Sequence, residues 1–175
     1  MLPGEKEKRM TKKVHLFSLV IIFCIGIFLR FYKLGSIPNG MYQDETAIGY
    51  NAYSLLVTGK DEYGKTLPLY FKSFGDYKMP VYIYATMPSI KLFGLTPFAV
   101  RFPSALFGLL TIPLLYAVVR TLTKNNQLAL ISAFMLSINP WHIHYSRATF
   151  EVSIALFLFL LGTWLLHKAY ERKSG

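Results

Sequence analysis

The sequence predicts an all-α integral membrane protein, with about four transmembrane helices and amphipathic juxtamembrane helices in the first outer loop. Three observations predict it. Hydrophobic residues make up 53% of the 175 residues, and the mean hydropathy is +0.37. The apolar residues fall in long blocks, as membrane spans do. The net charge of +10 sits largely on Lys and Arg that flank those blocks, where such residues anchor spans and set orientation. They do not gather in the single exposed patch that a nucleic-acid partner would require. Cys24, the single cysteine, lies inside an apolar block, so no intrachain disulfide forms and the redox compartment is not readable from it.

Residues 1–13 are a basic tail, with Lys6, Lys8, Arg9, Lys12 and Lys13 against Glu5 and Glu7. Val14 to Leu29 follows without an acid, Lys or Arg, and Phe31 and Tyr32 extend the apolar character past Arg30. No small-x-small cleavage site follows, and Arg30 and Lys33 close the run. It therefore reads as an uncleaved signal-anchor rather than a signal peptide. The tail stays in the cytoplasm and the helix leads outward.

The outer loop is then about 33–97. Pro38, Asn39 and Gly40 make a turn. Asp44 and Glu45 open a helix with Ala47, Ile48, Leu55 and Leu56 near one face and Gly59 as its C-terminal stop. Turn signals at Gly64, Pro68 and Gly75 punctuate a polar, aromatic stretch from Lys60 to Lys78. Met79–Gly94 is apolar but short and carries Pro88 and Lys91, so it reads as interfacial or re-entrant rather than spanning.

Phe102–Val119, Gln127–Tyr145 and Val152–Leu166 are the remaining spans. With Met79–Gly94 at the interface, the N-terminal tail, the Arg120–Lys124 turn and the C-terminal Lys168, Arg172 and Lys173 all face the cytoplasm. The positive-inside rule then holds at every short loop. Residues 14–175 form one transmembrane unit, and Asp44, Glu45, Lys78, Arg101, Arg147 and Glu151 converge on its outer side.

Each of those residues has a purely structural reading. Acids in a first helical turn suit the free N–H groups and the dipole. Lys78 can snorkel to the interface, and Glu151 can pair with Arg147 four residues earlier. Arg101 can snorkel or bind phosphate, and Pro103 stands near a helix start, where proline is tolerated. Trp141, His142, His144 and Tyr145 read as an aromatic interface belt. Zinc-ligand spacing, a glycine-rich phosphate loop and a G-x-S-x-G elbow are all absent from the sequence. What the convergence of acids and bases offers is activation of an acceptor hydroxyl beside a held phosphate leaving group. A lipid phosphate presented from the bilayer suits that geometry.

Four motifs in order carry a resemblance. The first is Asp44-Glu45 in the first outer loop. The second is Lys78-Met79-Pro80, opening a juxtamembrane helix that ends at Phe93-Gly94. The third is a small-x-Arg-x-Pro-Ser-Ala-Leu-x-Gly run, carried by Ala99, Arg101, Pro103, Ser104, Ala105, Leu106 and Gly108. The fourth is Ser146-Arg147 followed by Glu151. Over residues 14–170 the chain resembles the GT-C superfamily of membrane glycosyltransferases. Within it, the nearest branch holds the protein O-mannosyltransferases and lipid A aminoarabinose transferases, of the family-39 type. Two positions depart from that pattern: Glu151 stands where the family often has Asp, and Met79 where the proline is often doubled.

The resemblance implies inverting transfer of a sugar from a polyprenyl-phosphate donor to a hydroxyl of a protein, lipid or glycan, at the outer face of the cell membrane. It makes Asp44 the general base and gives Glu45 the task of orienting the acceptor or Asp44. Lys78, Arg101 and Arg147 become donor-phosphate ligands, with Lys78 and Arg101 preferred. Glu151 becomes a supporting acid or a metal ligand, since the family allows a divalent metal without demanding one. Family members are several times longer, so the chain is expected to be the N-terminal part of an enzyme and to transfer no sugar alone. A lipid-linked sugar transporter or flippase piece, or a structural membrane subunit, is the alternative. A transporter would place its polar groups at the bilayer midplane rather than at the mouths of the spans.

Overall fold

The computed structural model describes residues 3–174, and side chains from 13 to 173. The basic side chains of the tail before Lys13 lie outside the described residues. Among the described residues the helices are joined by turns and loops, one of which carries a small hairpin. Three helices are long and apolar enough to cross a membrane: α1 (Pro3–Phe31), α4 (Pro97–Thr123) and α7 (Val152–Ser174). The protein is thus an all-α membrane protein. In α1 the apolar stretch is Lys13–Phe31, about 28 Å at 1.5 Å per residue, which matches a hydrocarbon core of about 30 Å.

The apolar block Gln127–Tyr145 differs from its expected form as one span. It divides into α5 (Asn126–Ile138) and α6 (Pro140–Arg147). Asn139 makes the break. It ends α5, and its side chain caps α6 by accepting from the His142 N–H at 3.0 Å. Pro140 has no N–H to continue α5, and it occupies the first position of α6, where none is needed. By itself α5 extends about 20 Å, less than a full hydrocarbon core.

Between α1 and α4 lie α2 (Gln43–Thr58), the antiparallel strands β1 (Phe71–Ser73) and β2 (Asp76–Lys78), and α3 (Pro80–Phe93). Helix α2 ends at Gly59, whose φ of 70° is open to glycine and whose N–H reaches the Leu55 carbonyl at 2.9 Å. The hairpin turns at Phe74 and Gly75, both with positive φ, which is the two-residue turn that matches strand twist. Its strands are three residues each, too short to stand out from the surrounding loop by periodicity. Helix α3 occupies the segment expected at the interface, with Pro80 at its first turn and Gly94 at its end.

Helix α4 is the hub, packed against each of the other six helices. Half of its span is buried within the chain, against 17% for α1 and 11% for α7. The outer faces of α1 and α7, with Phe17, Phe28, Phe159 and Leu166 exposed, suit contact with lipid. One core joins α2, α3, α4 and the hairpin through Ile48, Leu55, Phe71, Tyr82 and Val100. A second joins α1, α4 and α5 through Ile22, Leu109, Ile112 and Ala133. Close helix approach depends on small residues, as is usual in membranes. A Cβ on Gly108 would fall 2.1 Å from the Ser146 hydroxyl of α6.

Helix α4 also starts earlier than expected, at Pro97, with the Thr96 hydroxyl accepting from the Ala99 N–H at 3.2 Å. Pro103 therefore stands inside the helix rather than near its start. A proline there frees the carbonyl four residues back and wedges the ladder open. Two side chains fill the gap. Ser89 donates to the freed Ala99 carbonyl at 2.6 Å. The Tyr82 hydroxyl accepts from the Ser104 N–H and donates to the Val100 carbonyl, each at 3.1 Å. That phenol bridges the Ser104 N–H and the Val100 carbonyl and ties α3 to the turn at Pro103. Burial raises the Tyr82 phenol well above its ordinary value, which keeps the donated proton in place.

Candidate functional site

The two adjacent acids at the start of α2 have separate fates. Glu45 is 2% exposed. One of its oxygens accepts from Arg101 Nε at 2.9 Å and from the N–H and hydroxyl of Thr149 at 3.0 and 2.9 Å. The other accepts from Arg101 Nη2 at 2.9 Å and the Tyr42 N–H at 3.1 Å. The contact with Tyr42 secures the helix start, so the capping task expected of the pair falls on Glu45. Burial pushes its carboxyl up, but the hydrogen bonds from Arg101, Tyr42 and Thr149, together with the Arg101 charge, hold it below the ordinary range. Asp44 has 59% of its side chain exposed and makes an ion pair with Lys78 at 2.8 Å.

Arg101 is fully buried, and its five N–H donors meet five acceptors. Two are the Glu45 oxygens; the other three are the carbonyls of Leu34, Pro38 and Gly40. Arg147 is engaged in the same way, on the carbonyls of Leu29, Tyr32 and Ile37 at 2.8, 2.7 and 3.0 Å. It does not pair with Glu151. Both arginines were expected at a donor phosphate. In the structure Arg101 bonds Glu45 and backbone oxygens, and Arg147 bonds backbone oxygens, at the end of α1 and in the turn after it. A third arginine, Arg30, is also fully buried and binds the Leu136 and Ser137 carbonyls at the C-terminus of α5. A cation suits that end of a helix. Sequence reasoning read Arg30 only as the close of an apolar run.

Of the three expected phosphate ligands, Lys78 alone lines the cavity at this end of the bundle. The cavity has a volume of about 740 Å3, with Asp44, Asp76, Lys78 and Glu151 on its polar side and Leu136 and Leu156 from α5 and α7 on its apolar side. Lys78 bonds Asp44 at 2.8 Å and Asp76 at 3.0 Å. The hydrogen bond it donates to Asp44 leads the causes that raise its ammonium above the ordinary lysine value, so it stays charged. Glu151 accepts from the Met79 N–H at 2.9 Å, which ties the start of α7 to the start of α3. Burial sets its carboxyl above the ordinary range, against the pull of Met79 and Lys78. Among the described residues no group of three or more His, Cys, Asp and Glu converges as metal ligands do. The cation between Asp44 and Asp76 is Lys78 itself.

The small-residue motif of α4 supports this arrangement from behind. Ser104 and Ser153 both reach the Tyr145 carbonyl, at 2.9 and 3.0 Å, locking α4, α6 and α7 together. Asp76, Thr149 and Tyr82 are the polar groups that sequence reasoning missed. Asp76 was within reach, since the Gly75 turn signal brings it to the strand that delivers Lys78. Thr149 and Tyr82 act on partners far along the chain, and no local pattern marks them.

Residues 20–175 match the family described as dolichyl-phosphate-mannose-protein mannosyltransferase. A relative from Bacillus subtilis (strain 168), named "Putative mannosyltransferase YkcB", is 27% identical over 172 residues, which cover 96% of this chain and 22% of the relative. The chain thus spans less than a quarter of that relative's length. No solved structure matches it.

Proposed function

The chain belongs to the dolichyl-phosphate-mannose-protein mannosyltransferase family, and from that premise we propose that it supplies the base and a phosphate ligand of a membrane glycosyltransferase site. The donor is a polyprenyl-phosphate sugar and the acceptor a hydroxyl. The acceptor oxygen bonds to the anomeric carbon from the face opposite the phosphate, its proton passes to Asp44, and the carbon–oxygen bond to the polyprenyl phosphate breaks with inversion. Lys78 holds the phosphate as negative charge develops on it. The observation that carries this reading is the division of labour between the acids. Glu45 does the structural work, and Asp44 is left at the cavity with one charged partner, Lys78. A phosphate that draws Lys78 toward itself releases the Asp44 carboxylate to accept a proton.

In this reading Glu45 and Arg101 position Asp44, Arg147 frames the turn after α1, and Glu151 is the supporting acid that fixes the Lys78–Met79 segment. The site faces outward, and the N-terminus lies in the cytoplasm. Arg120 and Lys124 at the α4–α5 turn, with Lys168, Arg172 and Lys173 at the end of α7, support that orientation by the positive-inside rule.

The test is Asp44→Asn in the intact protein, assayed for transfer of labelled sugar in membranes and normalised to protein level. General-base assistance is worth about 10²–10⁴ in rate, so transfer should fall at least about a hundredfold with normal folding. Near-normal transfer would remove Asp44 from the chemistry.

A further inference from the structure

His142 is a partly buried titratable group in this cavity that the reading above leaves without a task. It lies on α6 and lines the same cavity as Asp44 and Lys78. Its Nδ1 is 2.8 Å from Arg30 Nη2. A guanidinium has donors and no acceptor, so Nδ1 must accept. In a neutral imidazole the proton then sits on Nε2. The Ser146 hydroxyl, 3.4 Å from Nδ1, gives its one proton to the His142 carbonyl at 2.5 Å, so Arg30 alone fixes the tautomer. Nε2 has no protein partner, and it is not among the occluded, unpartnered polar atoms of the described residues. The ring is part of the cavity lining.

Arg30 is itself fully buried and bonded to the Leu136 and Ser137 carbonyls, with only its Nε–H left unpartnered. The imidazole is therefore aimed by a fixed support, as a positioned first contact requires. The wall around it is aromatic. Trp141 and Tyr145, both lining the cavity, stack at 5.8 Å with an interplanar angle of 15°. A neutral donor beside aromatic faces suits an uncharged, hydroxylated ligand better than a phosphate, for which Lys78 is the available cation.

We propose that His142 is a sugar-positioning residue, whose Nε2–H, fixed by Arg30, donates to a hydroxyl of the glycosyl group. The inference rests on the glycosyltransferase reading for the identity of the ligand. It adds the part of the ligand that is read, and the group that reads it.

Two substitutions separate the two ring nitrogens. His142→Asn keeps an acceptor near the Nδ1 position for Arg30 and loses the donor at Nε2. His142→Gln restores a donor near Nε2. The measurement is equilibrium binding of tritiated polyprenyl-phosphate mannose to the intact protein in nanodiscs, which needs no acceptor. His142→Asn should weaken binding about three- to tenfold, the worth of one neutral hydrogen bond. His142→Gln should recover most of it. With a series of monodeoxy-mannosyl carriers, one member should bind His142→Asn and the unsubstituted protein equally, because its acceptor oxygen is gone. A packing defect would instead penalise the whole series alike and overturn the proposal. Equal binding of the parent carrier by His142→Asn and the unsubstituted protein would overturn it too. Donor that is bound with the expected His142 dependence but never transferred supports His142 and overturns the transferase reading. No binding by the unsubstituted protein overturns both.

Discussion

Replacing Glu45 by Gln should cost far more stability than replacing Asp44 by Asn, although the two acids are neighbours. The Glu45 carboxylate takes five hydrogen bonds on two oxygens. A glutamine keeps one oxygen and turns the other into an NH2. If its oxygen stays on the side of Thr149, the new amide faces Arg101 Nη2 and the Tyr42 N–H, donor against donor. Each stranded buried donor costs about 1–3 kcal/mol, and removing one partner of a buried ion pair costs about 3–5 kcal/mol in all. Arg101 has no route to water, being fully buried. The expected loss for Glu45→Gln is therefore about 3–5 kcal/mol, a large share of a typical folding stability. Asp44→Asn loses an ion pair to a half-exposed carboxylate, worth about 0–1 kcal/mol. The assay is unfolding of the intact protein in detergent, followed by Trp fluorescence. Glu45→Gln within about 1 kcal/mol of the parent, or an equal loss in Asp44→Asn, would refute the division of labour between them.

Three further outcomes follow from the same geometry. Tyr82→Phe should destabilise by about 1–3 kcal/mol in the same assay, because it strands the Ser104 N–H and the Val100 carbonyl inside α4; a change under about 0.5 kcal/mol would mean that the opened turn closes without the phenol. Glu45, held below its ordinary value, contributes stability that is complete above the ordinary carboxylate range and lost as pH falls through its lower folded value, whereas Glu151, held above it, contributes stability that is complete below that range and lost as pH rises through its higher folded value. Unfolding temperature against pH should then lose its acid limb in Glu45→Gln and its decline on the alkaline side of the carboxylate range in Glu151→Gln; unchanged profiles in both would reject the assignment. Finally, a cysteine introduced at Asn125, with Cys24 removed, should resist an impermeant reagent added outside the cell, and labelling there would invert the proposed topology.

The helices were largely legible because their signals are local. Hydropathy located the spans, Pro80 and Gly94 bounded α3, and Gly59 stopped α2. The break at Asn139-Pro140 was written in the sequence too, but an unbroken run of hydropathy hid it. The site was legible only in part. Asp44 and Lys78 stand out as charges near an apolar boundary, and the structure brings them together. The partners of Arg30, Arg101 and Arg147 are mostly main-chain carbonyls, and every residue type carries one. A side chain that binds backbone leaves no complementary letter elsewhere in the chain, so an arginine meant for a phosphate and one meant for a loop look the same.

That absence of a complementary letter also bears on how the protein can change. Arg101 and Arg147 hold the segment from Leu29 to Gly40 by its peptide oxygens alone. Exposed side chains along that segment, among them Tyr32 and Ile37, can be exchanged without touching the bonds that fix its path. Divergence is free to rewrite the exposed face of this segment while the frame beneath it persists. Variation among descendants should gather at such positions and spare the two arginines.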